Sequence, residues 1–274
     1  MVLDILRQYN LQITGNLQAP QTILFAHGFG SDQRAWRFIT PAFQEQYRLV
    51  LFDLAGCGGV KVSERETLRH TSLQDYAEDL IQICDYLQLR QAHLIAHSVS
   101  SMLGTLVALK RPEFFTSLVF IGASPCYLNA GDYQGGFQTS DISSLLNEMA
   151  HNYANWARKY APSIMNAPTQ PLLSEEFSRS LLKLRPDFAL LIFSLIMDSD
   201  YRQAVSQIRL PVLILQTKED LFVPQSVGEY LHQRIWGSTL RLIPAKGHFP
   251  HMSNPQAVIE AISDFYRLIA MAHR

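Results

Sequence analysis

Apolar residues along the chain form short continuous runs separated by segments with helical spacing. Six runs predict strands, at 22–26, 48–53, 93–96, 117–122, 212–216 and 239–243. They are nearly continuously apolar and do not alternate with polar residues, which is typical of strands buried on both faces of a parallel sheet. The hydrophobic pattern therefore predicts a buried, mostly parallel sheet.

The segments between these strands have the spacing of amphipathic helices. In 72–87 the apolar residues Leu73, Tyr76, Leu80 and Cys84 follow helical periodicity, and the serine at position 72 suits a helix N-terminus. A last helix is predicted at 255–272. Strands that alternate with helices indicate an α/β fold.

The alternation stops between residues 127 and 209. This part has no convincing strand, and its apolar spacing predicts helices at 139–153, 154–165, 174–184 and 186–197. A helical insertion of this kind is interpreted as a cap over the carboxyl edge of the sheet, where such folds bind ligands. We therefore expect an α/β core formed by 1–126 and 210–274, with a helical cap at 127–209.

Composition excludes several classes of protein. The chain has 274 residues, of which 47% are hydrophobic and 17% charged, and its net charge is −1. This is enough apolar material for a packed core, and the charge does not favour binding to nucleic acid or anionic lipid. Three cysteines without a CxxC pair predict neither a disulfide framework nor a zinc site. No signal peptide is recognised at the N-terminus, and the longest apolar stretch, at 189–197, is too short to span a membrane. The expectation is a cytoplasmic protein without a membrane segment.

Ser98 stands where a predicted strand turns sharply into a predicted helix. That context is typical of a nucleophile elbow, which exposes the serine hydroxyl beside the helix N-terminus. The usual pattern is G-x-S-x-G, whereas Ala96 and Ser100 occupy the outer positions here. Alanine at position 96 would be strained if its φ were positive. Helix capping by Ser98 is the alternative explanation for this segment.

An acid and then a base follow Ser98, in the chain order that accompanies a nucleophile elbow. Asp220 comes after the strand at 212–216 and His248 after the strand at 239–243. Serine, acid and histidine in this order, each after a strand, predict a catalytic triad. Glu219 and His251 are the competing acid and base, and Asp220 and His248 are preferred for their position in the loops.

The loop at 26–30, with sequence AHGFG, predicts an oxyanion hole. Its donors would be the backbone N–H groups of Phe29 and Val99, and His27 and His97 are interpreted as structural residues. A serine nucleophile indicates acyl transfer and requires no metal or cofactor. The glycines at 56–59 lack the spacing of a dinucleotide or phosphate loop and predict an ordinary loop.

Five segments, at 26–36, 96–104, 122–129, 132–137 and 247–255, together resemble the RsbQ-like α/β-hydrolases. That family includes a bacterial stress-response regulator and the plant karrikin and strigolactone receptors. The resemblance implies an α/β-hydrolase fold with a V-shaped cap of four helices, and it carries the catalytic roles to Ser98, Asp220 and His248. It also implies a small apolar substrate pocket lined at matching or nearby positions by Phe29, Phe137, Trp156, Tyr160, Phe193 and Phe222. Because aromatic residues also pack cores, about half of them are expected to face the pocket.

Two functions remain open at this point. The first is a serine hydrolase that cleaves a small hydrophobic ester or lactone through an acyl-enzyme. The second is a sensor with slow turnover that binds a small molecule and acts on a protein partner, which the resemblance implies to be a PAS-domain phosphatase.

Overall fold

A seven-stranded sheet forms the centre of the molecule, as described by a computed structural model for residues 5–63 and 69–272. Its strands are β1 (Gln12–Gly15), β2 (Thr22–Ala26), β3 (Arg48–Leu51), β4 (Ala92–His97), β5 (Phe115–Ile121), β6 (Val212–Glu219) and β7 (Thr239–Lys246). Their order is β1-β3-β2-β4-β5-β6-β7. Strands β2 to β7 are all parallel, and β1 runs antiparallel to β3. The predicted α/β fold is confirmed.

The edge strand β1 was not predicted. Its four residues, QITG, are exposed or half-buried, and Ile13 is the one strongly apolar residue among them. A strand without a buried face leaves no hydrophobic pattern in the sequence. Backbone pairing holds β1 in place, with Gln12 opposite Leu51 and Gly15 opposite Arg48.

Apolar side chains cover both faces of the sheet. Along β2, Leu24 and Ala26 point into a large core that continues under the helices, while Ile23 and Phe25 point into a second core on the opposite face. Successive side chains of a strand alternate between faces. This alternation explains why the central strands read as continuous apolar runs.

Eleven α-helices connect or follow the strands in the described residues, 5–63 and 69–272. They are α1 (Ile5–Gln8), α2 (Leu73–Tyr86), α3 (Val99–Lys110), α4 (Thr139–His151), α5 (Tyr153–Met165), α6 (Pro171–Leu181), α7 (Pro186–Met197), α8 (Arg202–Val205), α9 (Gln225–Arg234), α10 (Pro250–Ser253) and α11 (Pro255–Ala272). Short 3₁₀ turns lie at Gln33–Trp36, Thr40–Ala42 and Pro112–Phe114. Within these same ranges, no helix is long and apolar enough to cross a membrane.

Helices α4 to α7 follow one another between β5 and β6, in the segment predicted to be all-helical. Three of these four helices differ from their predicted bounds: the one expected at 139–153 ends at His151, the one expected at 154–165 begins at Tyr153, and the third is shifted by three residues at each end. The helix expected at 174–184 begins at Pro171 and ends at Leu181. Proline has no backbone N–H to lose in the first turn of a helix, so Pro171 starts α6 where the apolar pattern alone gave no signal.

Candidate active site

Ser98 lies at the sharp turn between β4 and α3. Its backbone has φ +56° and ψ −127°, a left-handed conformation that non-glycine residues rarely adopt. The turn is held because the Ser98 N–H donates to the carbonyl of Ile121 on the neighbouring strand, at 2.9 Å. This strained geometry directs the Ser98 side chain to the carboxyl edge of the sheet, which is the geometry of a nucleophile elbow.

A continuous chain of hydrogen bonds joins the three residues predicted as a triad. His248 Nε2 lies 2.8 Å from Ser98 Oγ, and His248 Nδ1 lies 2.7 Å from Asp220 Oδ2. The second carboxylate oxygen of Asp220 accepts the backbone N–H groups of Phe222 and Val223, which fixes the orientation of the carboxylate. The structure therefore brings together Ser98, His248 and Asp220 at distances suited to proton transfer.

The competing acid and base lie elsewhere. The Glu219 side chain is 58% exposed and pairs with Lys246 at 2.8 Å. His251 is buried against the Trp36 ring at a centroid distance of 4.5 Å, and neither of its ring nitrogens has a hydrogen-bond partner among the described residues. Burial lowers the His251 pKa to about 3. His251 is therefore a neutral packing residue at ordinary pH.

Two backbone N–H groups beside Ser98 remain available to a ligand. Phe29 and Val99 were predicted as oxyanion donors, and in the described part of the chain neither N–H has an acceptor. Gly28, which precedes Phe29, packs so tightly on the elbow that a Cβ there would lie 2.6 Å from the His97 ring and 3.0 Å from Ser98 Cβ. Glycine at position 28 therefore lets the Phe29 loop approach the serine.

The two residues that depart from the elbow pattern are accommodated without strain. Ala96 lies inside β4, paired with Ala26 and Phe120, so it does not have the positive φ that would require glycine. Ser100 is fully buried in the first turn of α3, and its hydroxyl donates to the His27 carbonyl at 2.5 Å. The Ser100 side chain thus ties the elbow helix to the loop that carries Phe29.

The neighbouring histidines, His27 and His97, have structural contacts. His27 Nδ1 lies 2.9 Å from the Gly28 carbonyl, and the Leu54 N–H donates to His27 Nε2 at 3.0 Å. His97 Nε2 lies 2.8 Å from the backbone carbonyl of His248. Burial lowers the pKa of both rings, that of His97 well below its usual value. Both histidines therefore stay neutral and support the loops around the site.

An apolar cavity lies directly above Ser98. Its volume is about 30 Å³, and its polar lining groups come mainly from Ser98, His97, His248 and Tyr127. Of the six predicted pocket residues, four line it: Phe29, Trp156, Phe193 and Phe222. Helices α5, α6 and α7 contribute most of its roof, including Ile164, Phe177, Leu181 and Ile196.

The other two predicted pocket residues, Phe137 and Tyr160, do not line this cavity. The Phe137 ring packs behind Phe222, with centroids 5.9 Å apart. The Tyr160 ring packs on Trp156 at 5.5 Å, and its hydroxyl lies 3.2 Å from Glu148 on the protein surface. Both rings lie in a second layer around the cavity, because the rings of Phe222 and Trp156 stand between them and the cavity.

Tyr127 is a site residue that the sequence did not reveal. It is buried and lines the cavity beside Ser98. Burial raises the pKa of Tyr127, and the nearby Ser98 hydroxyl opposes that rise. The residue follows β5 in an irregular segment, where no periodic pattern could predict the direction of its side chain.

Gly247 lets the loop carrying His248 pack against the end of α5. It has φ +77°, and a Cβ there would lie 2.0 Å from the Met165 carbonyl oxygen. The next N–H, that of His248, donates to the Ile164 carbonyl at 2.8 Å. The site is thus tied to the helical insertion at this glycine.

We expect Gly247→Ala to lower the free energy of unfolding by about 2–4 kcal/mol, because it adds a backbone clash to an unfavourable φ. Gly237→Ala is the matched control: Gly237 has φ +68°, but its Cβ would meet nothing within 4 Å. The control should lose about 1 kcal/mol. Urea denaturation of both variants measures the difference, and equal losses would contradict the role of the Met165 contact.

The described residues, 5–63 and 69–272, contain no group of three or more His, Cys, Asp or Glu side chains arranged to hold a metal ion. The polar groups around Ser98 are instead a hydroxyl, an imidazole, a carboxylate and two amide N–H groups. This set can deprotonate an oxygen nucleophile and stabilise an oxyanion.

Comparisons with known proteins agree with this geometry. Residues 23–261 match the alpha/beta hydrolase family. A strigolactone esterase from Arabidopsis thaliana is 38% identical over 253 residues, covering 92% of this chain and 94% of that protein. A karrikin insensitive 2 receptor from Petunia hybrida is 37% identical over 255 residues, covering 93% and 94%.

The solved structures give the same result. A hydrolase from Oleispira antarctica superimposes with a TM-score of 0.91 at 34% identity, covering 96% of each chain. With a family match across most of the chain and relatives above 30% identity over more than nine-tenths of it, this protein belongs to the α/β hydrolase family.

Proposed function

We propose that this protein is a serine hydrolase that cleaves small hydrophobic esters or lactones through an acyl-enzyme on Ser98. One observation carries the proposal: the hydrogen-bonded chain from Asp220 through His248 ends on the Ser98 hydroxyl at the floor of an apolar cavity. The names of related proteins, which include a strigolactone esterase, support the same class of reaction.

In the proposed mechanism, His248 Nε2 takes the proton of Ser98 as Oγ attacks the substrate carbonyl carbon. The Phe29 and Val99 N–H groups donate to the resulting oxyanion, and Asp220 stabilises the imidazolium through Nδ1. His248 then gives its proton to the departing alcohol oxygen, leaving the acyl group on Ser98. A water molecule then attacks the acyl carbon while His248 takes its proton. The bond from that carbon to Ser98 Oγ breaks, His248 returns the proton to Oγ, and the acid is released.

The cavity supports the choice of substrate. Its volume of about 30 Å³ corresponds to about two water molecules. The aromatic rings around it favour apolar groups, and its enclosure favours short ones.

A series of p-nitrophenyl esters from acetate to octanoate tests this proposal. We expect kcat/KM to be highest for the short acyl groups and to fall steeply towards octanoate. Preference for octanoate over acetate would contradict the small closed pocket. A small apolar lactone, assayed alongside by proton release, extends the test to cyclic esters.

Trp156 lines the proposed pocket directly, whereas Phe137 lies behind the residues that line it. We expect Trp156→Phe to raise KM for p-nitrophenyl acetate about 3–10-fold, because it removes apolar contact area from the ligand. Phe137→Leu should have a smaller effect, since that ring lies behind Phe222. Trp236→Phe, at a tryptophan that is 77% exposed, is the control. A larger effect from Phe137 than from Trp156 would mean that the pocket is elsewhere.

A second candidate function is that of a small-molecule sensor. It is favoured by the relatives that are named as receptors and by the small volume of the cavity. Such a protein would release p-nitrophenol in a burst equal to its own concentration and then turn over slowly, whereas a working esterase would show sustained turnover. The resemblance to RsbQ-like hydrolases makes a PAS-domain phosphatase the partner to test, by phosphatase assay with and without this protein. A cytoplasmic location belongs to the same proposal, in keeping with the three free, buried cysteines.

A further inference from the structure

A second, smaller cavity shares the Phe29 side chain with the cavity above Ser98. Its volume is about 10 Å³. Val99, the residue after the serine, lines it, and so does Ile192, whose neighbour Phe193 lines the first cavity. The two cavities therefore lie side by side, and Phe29 lines both.

This second cavity is enclosed by buried residues, except at Phe29. Val99, Leu103 and Ile192 are each at most 5% exposed, and the remaining lining residues are buried as well. Phe29 is half-buried and lies in a loop, with its ring 5.5 Å from that of Phe193. Phe29 is therefore the lining residue common to both spaces, and a group carried on Ser98 would reach the second cavity past it.

One polar group in this cavity has no partner. Tyr76 lines the cavity, is 3% exposed, and its hydroxyl makes no hydrogen bond within the part of the protein that the structure describes. A buried hydroxyl without a partner is unfavourable and rare in folded proteins. The other polar lining group is the Cys57 thiol, a weak hydrogen-bonding group, and burial raises its pKa to about 12. The Tyr76 hydroxyl is thus the group here that is free to bind a ligand oxygen.

We propose that this second cavity, which has room for about one water-sized group, is a subsite for a single oxygen carried on the acyl arm of the substrate, to which the Tyr76 hydroxyl donates. The inference rests on the proposed hydrolase function. The alcohol of an ester must leave as soon as the acyl-enzyme forms, whereas the acyl group stays on Ser98 until water attacks. An enclosed cavity beside Val99 therefore suits the acyl group, which remains on Ser98, better than the departing alcohol.

Two p-nitrophenyl esters of equal chain length test the subsite. One is the pentanoate, and the other is the 4-oxopentanoate, which carries a carbonyl on the acyl arm. We expect the wild type to favour the 4-oxopentanoate in kcat/KM, and Tyr76→Phe to lower that ratio about 5-fold. Taking the ratio cancels effects on the shared acyl-transfer chemistry. Tyr86→Phe, on the same helix but 46% exposed, is the matched control and should leave the ratio unchanged.

A second variant tests the apolar part of the subsite. Leu103→Ala enlarges the cavity and should raise the ratio of pentanoate to acetate hydrolysis about 5-fold, whereas Leu109→Ala, on the exposed side of the same helix, should not. If Leu103→Ala does not fold, Tyr76→Phe still tests the subsite, because that substitution removes only the hydroxyl oxygen and keeps the aromatic ring. Unchanged ratios in Tyr76→Phe would overturn the proposal, as would a response to the alcohol arm instead of the acyl arm. Ser98-independent hydrolysis of the acetate would overturn the hydrolase function itself, so the two failures are distinguishable.

Discussion

Replacing Ser98 with alanine should lower kcat/KM for p-nitrophenyl acetate by about 10⁴-fold or more, because removal of the nucleophile removes the acyl-enzyme pathway. The fold should survive, with the free energy of unfolding changed by no more than about 1 kcal/mol. Steady-state kinetics and urea denaturation of the same preparation measure both effects. Residual turnover above a few per cent of wild type would contradict the role of Ser98.

The strained elbow adds a stability test at the same position. Ser98 adopts φ +56°, which costs free energy in any residue with a Cβ and little in glycine. Ser98→Gly should therefore be about 1 kcal/mol more stable than Ser98→Ala, although both are inactive. If alanine were as stable as glycine, the elbow would not be strained.

The second large effect is expected at Asp220. Asp220→Asn should lower kcat by about 10²–10⁴-fold, because an amide can donate to His248 Nδ1 and thereby favour the wrong tautomer of the ring. Glu219→Gln is the matched control one residue earlier, where the side chain is exposed and paired with Lys246. We expect the control to stay within about 2-fold of wild type. Equal losses in the two variants would mean that the loop, and not the carboxylate at His248, controls activity.

Much of the fold was predictable because the central strands are buried on both faces. Continuous apolar runs such as 212–216 predict such strands directly. The absence of such runs at 127–209, together with helical spacing, predicts the helical insertion. The triad geometry was also accessible, because strand ends fix where Asp220 and His248 meet Ser98. Each prediction depends on backbone topology, which periodicity encodes.

The remaining features depend on side-chain direction, which periodicity does not encode. Phe137 and Tyr160 were expected in the pocket, but Phe222 and Trp156 stand between them and the cavity. Tyr127 lines the cavity beside Ser98 from an irregular segment, and β1 is held by backbone pairing without a buried face. These details arise from packing between segments far apart in the sequence.

Covalent labelling tests the central claim, that Ser98 is an activated nucleophile, most directly. The protein is incubated with a fluorophosphonate, which phosphonylates activated serines, and the intact mass and labelled peptide are then measured. We expect one adduct, located on Ser98, absent from Ser98→Ala and formed much more slowly by Asp220→Asn. No adduct on the folded wild type, or an adduct at another residue that abolishes hydrolysis, would contradict it.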